Sequence, residues 1–247
     1  MVEDYIIFGA IFLVDVYCFD PIDYRKLYNE RNIKHAAKEI SKNLMNPSGH
    51  VTSFSVHPRV IESLNSMFTE KFVPGLDVAF PLYDIGFRPY LGSPYLVGMA
   101  QPVPVSTSSG PRYPLVTKYF SGDVSGVIGE SLFLYMASLV YGVSRVVHLR
   151  PEKTSLPTAD FVVMNPSDIV KLAPLFCGES LHPYIYSRLF VECKSTVNTL
   201  MDVNRIEHGL FQLSKMLRIG DYGLLFIVHK DPSSNRFVIK VAPLIER

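Results

Sequence analysis

Arg188-Leu189-Phe190-Val191-Glu192-Cys193-Lys194 is the stretch on which the reading of this chain turns. Its middle is apolar, as in a strand buried on both faces of a sheet. It then closes on a carboxylate and an ammonium. Side chains two apart on a strand share a face, so Glu192 and Lys194 point one way and Cys193 the other. A carboxylate in such a place is costly unless it is paired or bound to a metal.

The pattern extends outward on both sides. Residues 159–164 (Ala-Asp-Phe-Val-Val-Met) read as a second apolar strand with Asp160 at its start, and 144–149 (Ser-Arg-Val-Val-His-Leu) as a third. The proline-bounded turn 151–157 makes these two antiparallel if it closes a hairpin. A helix is expected over 127–141, apolar nearly all round and therefore buried, with Glu130 near its start. A short helix follows at 166–176 and a long one at 199–217. Strands at 222–229 and 236–242 close the chain, with a turn at 231–235. The strands are almost continuously apolar, so helices should cover both faces of a mixed sheet, giving an α/β class.

If the strands bearing Asp160 and Glu192 are neighbours, two carboxylates and an ammonium meet at one sheet edge. Close carboxylates repel unless something positive sits between them. Hard oxygen ligands of this kind suit magnesium or manganese. Such an ion activates water and stabilises charge growing on a phosphate oxygen. A lysine beside it can orient the water or neutralise that charge.

Pro157-Thr158-Ala159-Asp160, followed by Glu192-Cys193-Lys194 at the end of an apolar strand, resembles the PD-(D/E)XK nuclease superfamily. The order of elements from about 127 to 228 is similar to its restriction-endonuclease-like fold. The resemblance implies that Asp160 and Glu192 bind a divalent metal, magnesium or manganese, and that Lys194 assists hydrolysis. It adds the main-chain carbonyl of Cys193 as a further ligand, Glu130 as an acidic residue from the preceding helix, and Gln212 as a polar residue from the following one. Met216 stands where branches with a Gln-x-x-x-Tyr motif carry tyrosine. The implied activity is metal-dependent hydrolysis of phosphodiester bonds in nucleic acid, with DNA the expected substrate. Nucleases that cut both strands are often dimers, so a homodimer is compatible with the reading.

The rest of the chain is read from its residues alone. Residues 1–120 form an N-terminal region of unknown role with α+β character, and 121–247 the nuclease-like domain. The boundary falls softly between about 105 and 122. The apolar run 5–17 is expected to be a buried strand or helix: Glu3 and Asp4 stand where a signal peptide would be basic, and the run is short for a membrane span of about 20 residues. Helices are expected over 33–44 and 58–72, with a turn at 46–51. From 73 to 114 the recurring prolines, glycines and tyrosines predict short strands and long loops that wrap or bridge. Tyrosines between Tyr83 and Tyr119 are candidates for stacking on bases, though such residues more often fill a loop-rich core.

Over the 247 residues the net charge is +1, which excludes a histone-like basic binder but not an enzyme with one positive groove. The three cysteines Cys18, Cys177 and Cys193 match no zinc spacing. They are expected to be buried thiols in a reducing, cytoplasmic compartment. His148 is expected in the core and His208 on a solvated helix face. Gly122, Gly126 and Gly129 match neither nucleotide-binding spacing. Two other readings stay open: a nucleic-acid-binding or assembly protein that keeps the fold without turnover, and an unrelated α/β interaction protein.

Overall fold

The computed structural model describes residues 11–44, 49–65, 80–89, 96–103, 105–107, 110–112, 124–150, 157–196, 201–230 and 236–247. In chain order these form strands β1 (Phe12–Cys18) and β2 (Ile22–Asp23), helix α1 (Glu30–Lys42), strand β3 (Gly49–Val56) and helix α2 (Pro58–Asn65). Strands β4 (Phe80–Pro89), β5 (Leu96–Pro102), β6 (Val105–Thr107) and β7 (Gly110–Arg112) precede helix α3 (Val124–Tyr135). Then come β8 (Arg145–Arg150), β9 (Phe161–Val163), α4 (Pro166–Lys171), β10 (Leu189–Thr196), α5 (Val203–Met216), β11 (Tyr222–Lys230) and β12 (Arg236–Ile245).

The class is α/β. One mixed sheet runs in the order β3-β1-β12-β11-β10-β9-β8-β4-β5, with β2 added beside β12, and β6 and β7 form a separate pair. Its centre is a meander in which β8, β9 and β10 are successively antiparallel. Helix α5 then crosses over, so β11 returns parallel to β10. The apolar strands need cover on both faces. On one face α1 contributes Ile33, Ala37 and Ile40, and α5 contributes Ile206, Leu210 and Leu213, against Phe190, Leu225, Ile227 and Leu244. On the other, α2 and α3 pack against Val14, Val191, Phe226 and Ile239. Phe133 of α3 lies 5.3 Å from the Phe161 ring and 5.6 Å from that of Phe226.

Side-chain caps set the helix starts. Asn29 accepts from the Asn32 amide at 2.9 Å to open α1, and Asp202 accepts from the Asn204 amide at 3.2 Å to open α5. Beyond Tyr135, α3 continues as one wider turn over Met136–Val140 and ends before Gly142, whose φ is 68°. No helix among the described residues is long and apolar enough to cross a membrane.

Several local expectations are corrected. The region 73–114 does not merely wrap: β4 and β5 extend the sheet beyond β8, and Tyr83 and Ile85 lie in its core. Pro81 and Pro89 obscured that strand, yet both sit near its ends, Pro81 next to a register shift. Tyr83 is buried and therefore not placed to stack on a base. Residues 49–51, expected in a turn, begin β3 against β1. The turns at 151–156 and 231–235, the helix expected over 66–72, and residues 113–123 of the boundary region lie outside the described residues, as do residues 1–10 of the apolar start. Strands β1, β3, β4 and β5 all join the sheet that holds β8–β12.

The cysteines are also corrected. Cys18 and Cys177 form a disulfide with Cα atoms 5.8 Å apart, across a sequence separation of 159 residues. Cys18 ends β1, and Cys177 follows a 3-10 turn, Ala173–Phe176, in a left-handed conformation with φ 53°. Only packing of that turn against β1 makes them neighbours, so their spacing carried no sign of it. Cys193 remains a free thiol.

Candidate active site

Strand β10 pairs with β11 along its whole length, from Leu189 to Thr196. On its other side, pairing with β9 stops at Val191↔Phe161. Glu192 and Lys194 therefore lie inside a strand rather than at its end as expected, just past the point where one neighbour departs. There Asp160 takes over: its Oδ2 accepts from the Cys193 amide at 2.8 Å, in place of the next ladder bond. The side chain that satisfies the backbone is thus held beside the Glu192 strand position.

Glu192 and Lys194 face α5. The Glu192 side chain is 1 % exposed and that of Lys194 17 %, and Lys194 Nζ donates to Glu192 Oε1. Lys194 Nζ also donates to Gln212 Oε1 at 3.0 Å, and Gln212 Nε2 donates to the Thr158 carbonyl at 2.7 Å. One helix side chain thereby ties the lysine on β10 to the segment that leads into Asp160. The close approach of α5 depends on Gly209. A Cβ there would meet Leu225 Cδ1 at 2.6 Å, Lys194 Cε at 3.3 Å and Glu192 Cγ at 3.5 Å. On the opposite face Gly129 of α3 does the same, since a Cβ would lie 2.9 Å from Ser195 Cβ and Oγ. Two glycines thus let two helices clamp the polar end of β10, a role sequence reading did not assign to either.

Glu130 enters from the α3 side. Its Oε2 lies 3.8 Å from Nε2 of His148, which is fully buried as expected and packs against the Phe161 ring. The Glu130 charge still acts on both Glu192 and Cys193. His208, expected on a solvated helix face, is exposed but lines a cavity beside Lys194.

The electrostatics follow from burial and crowding of carboxylates. Desolvation, then the charges of Asp160 and Glu130, push the Glu192 carboxyl well above its usual range, against the pull of Lys194. Desolvation works to lower the Lys194 value, but the charges of Glu192 and Asp160 outweigh it and hold the ammonium protonated. Desolvation and the same carboxylates push the Cys193 thiol well up, so it is no nucleophile. Desolvation and then Lys194 lower the His208 value, favouring the neutral ring.

One atom bears on a metal. Glu192 Oε2 is buried and has no hydrogen-bond partner among the described residues. A lone pair left bare in a fully buried carboxylate is destabilising unless something positive completes it. No group of three or more His, Cys, Asp or Glu side chains in ligating proximity occurs among the described residues. Magnesium asks for fewer, because it keeps several waters and takes one or two carboxylates. Asp160 and Glu192 are two carboxylates within electrostatic reach of one another, the donor type that magnesium takes.

Comparison with protein-family models, curated proteins and solved structures finds no match for this chain.

Proposed function

We propose that this chain is a divalent-metal-dependent nuclease that hydrolyses phosphodiester bonds of nucleic acid, with DNA the substrate and the PD-(D/E)XK superfamily its family. The observation that carries the reading is the bare, buried Oε2 of Glu192, next to Lys194 and within electrostatic reach of Asp160. The path from α3 through the β8-β9-β10 meander and the α5 crossover to parallel β11 supports it, being the element order that resemblance implies. A fold alone does not establish an activity, so the weight rests on these side chains.

Asp160 and Glu192 would hold the metal, with the Cys193 carbonyl as a further ligand and Glu130 reaching it through water. When bound, magnesium or manganese supplies a Lewis acid for the phosphate and an acidified water. Lys194 keeps its proton and presents positive charge where the phosphate gains negative charge. Gln212 fixes the position of that ammonium through its bond to Lys194 Nζ. Burial by α5 excludes bulk water from the Glu192 side and strengthens each of these interactions.

The test is cleavage of supercoiled plasmid and of labelled single- and double-stranded oligonucleotides, with magnesium or manganese and with a chelator. Cleavage that needs the metal and is lost in Lys194→Ala supports the reading. Cleavage that persists under chelation overturns the site. Metal-dependent binding without cleavage moves the protein to the non-catalytic nucleic-acid-binding alternative.

A further inference from the structure

Beside the carboxylate cluster lies a cavity of about 380 Å³ lined by Gly126, Cys193, Lys194, Ser195, Asn204, Arg205 and His208. Its chemistry is the inverse of the metal cluster: an ammonium, a guanidinium, an imidazole, a carboxamide and a hydroxyl, with no carboxylate in the lining. Arg205 is held in place, since its Nη1 donates to the Ser195 carbonyl at 3.1 Å and leaves the other guanidinium donors uncommitted to that contact. Arg205 and His208 are one turn apart on α5 and so share a face. Gly126 and Asn204 belong to the first turns of α3 and α5, so two helix starts border the same space. The α5 start is closed by its own cap, Asp202, which accepts from the Asn204 amide, so the positive character of the cavity comes from the Arg205 guanidinium and the Lys194 ammonium.

We propose that this cavity is a phosphate-binding subsite, which takes the phosphate next to the one being cut and sets the strand in register with Lys194. The proposal rests on the nuclease reading for its meaning but not for its binding chemistry. A cavity of this size is at the small end of ligand sites, roughly 300–1,000 Å³. It suits one phosphate with part of its sugar rather than a base pair. Arg205 is the anchor, because a planar guanidinium meets two phosphate oxygens at once. His208 adds a donor from the same helix face, and Lys194 forms the wall shared with the reacting centre. The phosphate has two sources, a terminal monoester or an internal diester of a continuing strand.

The test measures binding in chelator, where nothing is cut, using inorganic phosphate and short oligothymidylates with a 5′-phosphate, a 5′-hydroxyl, or closed into a circle. Arg205→Gln and His208→Gln are compared with wild type. Both residues are exposed on α5, and a thermal melt checks that the variants stay folded. Arg205→Gln is expected to weaken binding about tenfold, the loss of one charge-assisted contact. If the loss is confined to the 5′-phosphorylated strand and inorganic phosphate, the subsite takes a terminal monoester. If all strands weaken alike and the salt slope falls by about one, it takes an internal diester. Unchanged binding of every probe in both folded variants overturns the proposal, even where wild-type protein cuts DNA with magnesium. Conversely, Arg205-dependent binding in a protein that cuts nothing keeps the subsite and removes the nuclease reading.

Discussion

Asp160 Oδ2 accepts a hydrogen bond from the Cys193 amide at 2.8 Å, where β9 parts from β10. A carboxylate thus does the work of a strand neighbour and is aimed beside Glu192. Asp160→Asn keeps an oxygen acceptor for the amide and removes the charge, so the fold should persist while metal-dependent cleavage is lost. Asp160→Ala also strips the amide of its partner, at a cost of about 1–3 kcal/mol. Urea denaturation should therefore separate the two variants, and cleavage should not. Full activity in Asp160→Asn would remove this residue from the site.

In the proposed mechanism Lys194 is the group offered to the developing negative charge. Lys194→Ala should cut turnover by at least about a hundredfold, with a far-ultraviolet spectrum unchanged. Gln212→Ala should have a smaller effect, because it removes only the hydrogen bond that positions Nζ. A single-turnover assay at saturating substrate is the measurement. Equal losses in the two variants would contradict the division of roles.

Glu192 gives a pH dependence of known sign. Its folded pKa is raised, by burial first and by Asp160 and Glu130 next, so the folded chain keeps a proton that the unfolded chain has lost. That contribution to stability is fully present below the unfolded pKa and is lost as pH rises through the folded one, at up to about 1.4 kcal/mol per pH unit in between. In chelator, Glu192→Gln should flatten this slope. Magnesium should restore stability to wild type at high pH and not to the variant, with proton release on binding. Denaturation across a pH series, with and without magnesium, reads both. Parallel slopes for wild type and variant would sink the assignment.

Gly209 sets how near α5 sits to the cluster. Gly209→Ala places a methyl 2.6 Å from Leu225 Cδ1 and 3.3 Å from Lys194 Cε. Overpacking should cost about 1–3 kcal/mol and shift the lysine, so activity should fall in protein that remains folded. Gly86, which has nothing within 4 Å of an added Cβ, is the control, and Gly86→Ala should leave activity unchanged.

The Cys18–Cys177 disulfide closes most of the chain into one loop. Cys18→Ser should lower stability by about 2–5 kcal/mol. A reductant should bring wild type down to the variant and leave the variant where it was, as read by denaturation with and without dithiothreitol.

The amino-acid order by itself determined the elements of the second half. Apolar runs of strand length and the spacing of buried positions at 3.6 residues mark β8, β10, α5, β11 and β12, because burial follows local periodicity. It also named Asp160, Glu192 and Lys194, since charge inside an apolar strand is costly enough to stand out. It did not carry what depends on which segments meet. That β1 and β4 extend the sheet on opposite sides of the meander, and that Cys18 reaches Cys177, follow from pairings between residues far apart in the chain. The bond from Cys193 to Asp160, the clamp by Gly129 and Gly209, the tie from Lys194 through Gln212 to Thr158, and the cavity around Arg205 likewise exist only once strands and helices are packed. Local periodicity decides whether a segment is buried; the meeting of two polar groups is decided by long-range closure, on which residue spacing is silent.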